Sequence, residues 1–186
     1  MLIESAMPTF DAVIAEHAIV AADPATTFEA ARTLDLLTVR TPLLAASIWI
    51  RALPARWVGR AAPPLPQLVV ATGGLPGWLV LGERPGREIA FGAVGKFWQP
   101  VIKWRDVPRS EFCNFAEPGW GKIAANFSVL PYGDHSTLLT YECRTVTTDP
   151  MSRRRFMHYW WFIRPFVGHI MRATLAKIKA DAEGTR

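Results

Sequence analysis

The chain has 186 residues, of which 50% are hydrophobic and 20% are charged, a composition that excludes an intrinsically disordered protein. The length fits one domain over residues 1–186, since single domains usually hold about 100 to 200 residues. The formal charge is +5 at pH 7, but the basic residues are dispersed and no nucleic-acid-binding motif accompanies them, so no nucleic-acid partner is expected.

The first predicted elements are one strand and two short helices. The strand is expected over residues 12–21. Both helices begin with a capping residue followed by proline, at Asp23-Pro24 and Thr41-Pro42. In this arrangement the capping side chain accepts hydrogen bonds from free backbone N–H groups, and proline fits the first helical position. The first helix is expected over residues 24–35, and the second ends at Pro54.

The middle of the chain changes to short segments rich in Val, Ile, Phe, Trp and Thr, separated by Gly, Pro and Asp turns. This pattern predicts an antiparallel meander. A loop rich in proline and glycine, residues 54–77, is expected to precede it. The predicted strands are residues 78–84, 88–98, 111–115, 122–130 and 137–147.

The last predicted element is a long helix that begins at Asp149-Pro150 and ends at Gly184. Pro165 removes a backbone hydrogen bond within it, and a kink there would widen one end of a cavity beneath the helix. Trp161, Phe162 and Phe166 lie outside the apolar stripe and need a second covering surface. The stripe itself recurs at steps of three and four residues and would cover a curved sheet: Phe156, Trp160, Ile163, Val167, Ile170, Thr174 and Ile178.

Three segments, together with the order of the elements, resemble the helix-grip superfamily, which includes START domains and the small bacterial SRPBCC group of polyketide cyclase/dehydrase-like proteins. The segments are GAVGKFWQP (92–100), TYECR (140–144) and RRRFMHYWWFIRP (153–165). The resemblance covers nearly the whole chain. It implies an α+β fold in which a curved antiparallel sheet of about six or seven strands wraps around the long C-terminal helix, with two short helices after the first strand. It also implies a hydrophobic cavity for a lipid, sterol-like or polyketide-like molecule.

Candidate ligand-binding residues in such a cavity are apolar walls and a few polar anchors. Glu142 and Arg144 share one face of their strand, where they would orient a carboxylate or hydroxyl of the ligand if that face is inward, or form a surface ion pair if it is outward. Lys96 is either a polar contact at the cavity mouth or a solvated lysine. The full set is Trp49, Lys96, Trp98, Glu142, Arg144, Trp160, Ile163 and Arg164.

Three functions remain open. The first hypothesis is a non-enzymatic protein that binds a hydrophobic or amphipathic small molecule. The second is a cyclase or dehydratase in the same cavity, with Glu142 or Glu88 moving protons. The third is an interaction protein with a closed cavity that forms a homodimer through Trp161 and Phe162.

Other partners and cofactors are predicted from what the sequence carries and lacks. No metal or cofactor is expected, because the four histidines lack metal-ligand spacing and no phosphate-binding or dinucleotide motif is present. Cys113 and Cys143 are predicted to be buried free thiols.

Residues 153–155 place arginines beside aromatic rings, which suits a transient contact with a membrane surface. The N-terminal residues lack a signal-peptide pattern, so a cytoplasmic protein is expected.

Overall fold

A computed structural model describes residues 1–35 and 77–184 of the chain. The predicted second short helix and Trp49 lie outside these residues. The helices are α1 (Leu2–Ala6), α2 (Pro24–Thr33), α3 (Arg109–Phe112) and α4 (Pro150–Gly184). The strands are β1 (Ala12–Val20), β2 (Trp78–Arg84), β3 (Glu88–Gly95), β4 (Trp104–Arg105), β5 (Gly121–Tyr132) and β6 (Ser136–Thr147).

All six strands form one antiparallel sheet in the order β1-β6-β5-β3-β2, and the short β4 pairs with the end of β3. The first strand of the chain pairs with the last, so that Ala12 lies opposite Thr145 and Val20 lies opposite Thr137. Within the described residues, β1 therefore forms one edge of the sheet and β2 forms the other.

One face of the sheet, which we call the inner face, packs against α2 and the second half of α4. Phe28 of α2 and Leu175 and Ile178 of α4 form a single buried cluster with Phe127 and Leu139 of the sheet. In this half of α4 the predicted apolar stripe therefore packs against the sheet, as expected. The structure confirms the predicted α+β helix-grip fold, with a sheet of six strands and a long C-terminal helix.

The opposite face, the outer face, is covered by two helices that were not predicted. Ile3 and Met7, from α1 and its end, and Phe112 of α3 pack on sheet residues such as Ala124. The strand predicted over residues 111–115 is wrong, because α3 and a turn occupy this part of the chain. Phe112 and Phe115 stand three residues apart and join the same cluster, which is the spacing of a helical turn and not of a strand.

The cap of α4 also ties the helix to the sheet. Asp149 accepts hydrogen bonds from the Ser152 N–H (2.9 Å) and the Ser152 hydroxyl (2.6 Å). The same carboxylate accepts one from the Gly119 N–H (2.6 Å), directly before β5. These bonds, those from Ser152 first, lower the pKa of Asp149 from 3.8 to about 2. The predicted start of α4 is confirmed, and its cap holds both the helix and the turn before β5.

Asp149→Ala is expected to lower the melting temperature near neutral pH, with the difference from wild type shrinking in acid. The folded-state pKa lies below the ordinary value, so the contribution of this carboxylate is fully present above the ordinary pKa of 3.8. It is lost as the pH falls towards 2, and melting curves at both ends of this range measure the change. Asp149→Asn is the matched control, because asparagine also caps helices but does not titrate. An equal melting-temperature difference for Asp149→Ala at both ends would contradict the prediction.

Candidate functional site

A continuous row of aromatic rings lies on the inner face of the sheet. The ring centroids of Trp104 and Trp78 are 6.3 Å apart, and those of Trp78 and Phe91 are 5.7 Å apart. Phe91 then contacts Phe127 at 5.7 Å, and Phe127 contacts Tyr141 at 4.4 Å. The row crosses the sheet from β4 through β2, β3 and β5 to β6. Phe91 and Phe127 are buried in the core, whereas Trp78, Trp104 and Tyr141 keep part of their surface accessible. Accessible apolar rings of this kind are common in binding pockets for small molecules.

Strand alternation and register bring these rings together. Side chains two residues apart on a strand share a face, and directly paired residues on neighbouring strands lie on the same side. Phe127 pairs with Tyr141, whereas Phe91 pairs with the small Ala125. At Gly95 a β-carbon would come within 2.9 Å of the Phe97 ring and 3.2 Å of the Trp104 ring, so the absent side chain leaves room for both rings.

Tyr141, at the β6 end of the row, shares the inner face with Cys143 of the same strand. Burial raises the pKa of the Cys143 thiol to about 12, and it also raises the pKa of Tyr141. Both side chains nevertheless keep part of their surface accessible. Within the described residues the Tyr141 hydroxyl has no hydrogen-bond partner, so it can bond to a bound molecule.

The first half of α4 carries the other part of the predicted apolar stripe. Phe156 is buried, and its ring stacks on that of Trp160 with centroids 5.8 Å apart. Trp160 and Ile163 continue the stripe that buries Ile178 further along, but both are only half-buried. The stripe is therefore less tightly covered here than near the C-terminus, which leaves these two predicted site residues available for contact.

The structure places Glu88 on the outer face, where it holds the N-terminus of α1. Its carboxylate accepts hydrogen bonds from the Leu2 N–H (2.7 Å), the Ile3 N–H (3.2 Å) and the Asn126 Nδ2 (2.7 Å). Glu88 is only 3% exposed. A carboxylate at a helix N-terminus satisfies free N–H groups and opposes the positive end of the helix dipole. These contacts give Glu88 a structural role at the N-terminus of α1, and its part in proton transfer stays a prediction.

Glu142 and Arg144 also lie on the outer face, so the inward alternative for this pair is wrong. Arg144 donates to Glu142 Oε1 (2.6 Å) and to the Met7 carbonyl at the end of α1 (3.0 Å). The pair is not an ordinary surface ion pair either, because Arg144 is buried beneath α1. Glu88 and Arg144 thus hold opposite ends of α1, each with the charge that complements that end of the helix.

Lys122 completes the set of buried charges on the outer face. Its Nζ donates to the carbonyls of Phe112 (3.3 Å) and Cys113 (2.9 Å), which end α3. Desolvation by burial lowers the pKa of Lys122. Cys113 itself is exposed, so the prediction of a buried thiol is wrong there, since only its backbone is held against the sheet.

The remaining predicted residues lie at two other places. Lys96 and Trp98 follow β3, which ends at Gly95 instead of continuing to residue 98. The Lys96 Nζ stands 4.6 Å from the centre of the Trp120 ring, a cation–π contact, and Trp98 is half-buried. Arg164 lines a groove of about 560 Å³ between β1 and α4, together with Pro165, Gly168 and Arg172.

The aromatic row is the part of the candidate site that the sequence analysis missed. Alternation divides each strand into two faces, and the polar faces were taken as candidates for the ligand contacts. In the structure the apolar faces point towards α4, with Phe91 on β3 and Tyr141 on β6. Since the alternate residues on these strands are nearly all apolar, comparing the two faces would have identified the inner one.

Two carboxylates of the sheet's inner side are paired with arginines of the helices. Glu16 of β1 accepts a hydrogen bond from Arg172 (2.5 Å), and Glu83 of β2 accepts one from Arg32 (3.0 Å).

Residues 1–35 and 77–184 hold no group of three or more His, Cys, Asp or Glu side chains that could bind a metal ion. No described helix is long and apolar enough to cross a membrane.

Comparison with known proteins gave fold-level similarities only. No family model and no curated protein matches the chain. The protein MLL2253 from Mesorhizobium loti is 11% identical, with a TM-score of 0.41 over 94% of this chain and 99% of that one. The di-domain ARO/CYC StfQ from the steffimycin biosynthetic pathway is 12% identical, with a TM-score of 0.42 over 94% of this chain and 52% of that one. Human STARD10 is 11% identical, with a TM-score of 0.28 over 90% of this chain and 63% of that one.

Proposed function

We propose that the inner face binds a hydrophobic or amphipathic small molecule between the aromatic row and the first half of α4. The observation that supports this proposal is the row of aromatic rings on the inner face, at whose β6 end Tyr141 and the nearby Cys143 keep part of their surface accessible. A filled core would leave no accessible surface at such positions. The accessible surface around these two side chains is therefore the proposed binding site.

The chemistry of the walls favours a largely apolar molecule with flat rings and one polar group. Aromatic side chains pack well against planar rings in offset or edge-on arrangements. The accessible rings of the row, Trp78, Trp104 and Tyr141, provide such surfaces. The Tyr141 hydroxyl provides one hydrogen bond, which fixes the orientation of a ligand that is otherwise held by apolar contact.

Binding is favoured over acid–base catalysis by the placement of the carboxylates. Glu88 and Glu142, the two considered for proton transfer, lie on the outer face and are held by α1, Asn126 and Arg144. A general base must reach the proton that it removes, through a direct hydrogen bond or one water molecule. From the far side of the sheet, neither carboxylate reaches a molecule on the inner face.

Cys143→Phe is expected to weaken uptake of a hydrophobic fluorescent probe such as anilinonaphthalene sulfonate by at least about tenfold, because the added ring would occupy the proposed site. Titration of purified protein with the probe measures the change. Cys143→Ala removes volume and should bind at least as well as wild type. Cys113→Phe makes the same change at an exposed cysteine and should leave binding unchanged.

Native mass spectrometry of freshly purified protein, followed by organic extraction, would identify a co-purifying ligand. An additional mass bound to the native protein that disappears after organic extraction would support the proposal, and the extracted molecule would give the ligand class. Wild-type protein that takes up no probe, or Cys143→Phe protein that remains folded and binds like wild type, would contradict it. A dimer with no probe uptake would favour a closed cavity and an interaction role.

A further inference from the structure

The outward side of α4 carries a cluster of exposed aromatic side chains. Trp161 is 75% exposed, Phe162 is 67% exposed and Phe166 is 40% exposed. The Trp161 and Phe162 rings contact each other edge to face, with centroids 4.9 Å apart. Single exposed apolar residues are common, but adjoining large ones mark surfaces that contact another phase or molecule.

Arginines stand on the same side of the helix. Arg154 and Trp161 are seven residues apart, as are Arg155 and Phe162, and this spacing places each pair on one side of the helix, two turns apart. All four side chains are exposed. We call this surface the arginine–aromatic face, defined by Arg154, Arg155, Trp161, Phe162 and Phe166.

The charge on this face is not neutralised by the described part of the protein. From Pro150 to Ala180, α4 contains no Asp or Glu. Arg153 pairs with Asp11 (3.0 Å) and Arg172 pairs with Glu16 (2.5 Å). Within residues 1–35 and 77–184, Arg154 and Arg155 have no ion-pair partner.

We propose that the arginine–aromatic face docks on the surface of an anionic lipid bilayer. Aromatic rings enter the headgroup region, where their apolar bodies leave water, while arginines bond to lipid phosphates and attract acidic headgroups. The positive charge of the arginines favours an anionic membrane over a second copy of the chain as the partner. A second copy of the chain would bring the same unpaired arginines together, whereas an anionic membrane complements them.

Sedimentation with vesicles tests the proposal. Wild-type protein should bind vesicles of phosphatidylcholine and phosphatidylserine, bind phosphatidylcholine alone more weakly, and dissociate as salt screens the charges. The double variants Trp161→Ser with Phe162→Ser, and Arg154→Gln with Arg155→Gln, should each weaken binding by at least about tenfold. The first is expected to weaken binding to both kinds of vesicle, and the second chiefly to the anionic kind.

Matched controls make the same chemical changes elsewhere. Leu130→Ser removes an exposed apolar side chain on β5, and Arg84→Gln with Arg87→Gln removes two exposed charges near the turn between β2 and β3. Neither control should change vesicle binding.

Three results would overturn the proposal. One is binding that is equal for both kinds of vesicle and for all variants. Another is a dimer that Trp161→Ser with Phe162→Ser abolishes, without vesicle binding by the wild type, which would identify a second copy as the partner. The third is protection of Phe162→Cys from alkylation in the free protein, located by peptide mapping, which would show that the chain covers this face itself.

Discussion

Phe127→Ala is expected to lower the free energy of unfolding by about 3–5 kcal/mol, the usual range for truncating a fully buried phenylalanine. Phe127 is 0% exposed and lies between the Phe91 and Tyr141 rings. Its loss removes apolar contact and leaves a cavity at the centre of the aromatic row. Urea unfolding monitored by circular dichroism measures the change.

Phe162→Ala is the matched control for this prediction. It makes the same substitution at a ring that is 67% exposed, so the free energy of unfolding should change by less than about 0.5 kcal/mol. The two substitutions should have the reverse effect on vesicle binding. Phe162→Ala should weaken it, whereas Phe127→Ala should leave it unchanged as long as the protein is folded. Equal destabilisation by the two substitutions would contradict the assignment of Phe127 to the core and Phe162 to the surface.

Glu88→Ala is expected to lower the free energy of unfolding by about 2–4 kcal/mol, because three buried donors lose one charged acceptor. The Leu2 and Ile3 N–H groups and the Asn126 amide would each be left without this partner. Since the carboxylate also holds α1 on the sheet, amide hydrogen exchange over residues 1–7 should become faster in the same variant. Urea unfolding and mass-spectrometric exchange measure the two effects.

Two further variants separate the role of Glu88 from general loss of charge. Glu88→Gln keeps an acceptor but not its charge, and should fall between wild type and alanine. Glu29→Ala removes an exposed carboxylate from α2 and should change stability by less than about 0.5 kcal/mol, as surface ion pairs usually do. A small effect of Glu88→Ala with unchanged exchange would show that α1 is held by apolar contact alone.

The elements whose ends carry chemical signals could be predicted closely from the sequence. Asp149-Pro150 and Gly184 delimit the long helix, and the structure begins and ends α4 at these positions. Pro165 lies within α4, which continues past it, and the predicted kink there stays a prediction. The strand predicted over residues 78–84 coincides with β2. Capping residues, proline and alternating apolar residues act locally, so these elements could be recognised without knowledge of the fold.

The faces of the strands and the shortest helices could not be predicted in the same way. Alternation shows that Glu142 and Arg144 share a face, but tertiary packing decides which side α4 covers. α1 has only five residues, too few for a periodic pattern, and its docking depends on contacts with β3 and β6 that are distant in sequence. Because α1 covers these charges, residues that resemble ligand anchors in the sequence are structural in the fold.

The pairing of β1 with β6 has a consequence for the growing chain. The Asp11 carboxylate accepts a hydrogen bond from the Thr147 N–H, 136 residues away in sequence. During synthesis β1 emerges from the ribosome before the other described strands, but its partner β6 follows only much later. Contacts between such distant residues form slowly, because a long loop must close before they are made. The edge of β1 that pairs with β6 therefore stays without its partner strand until β6 has been synthesised.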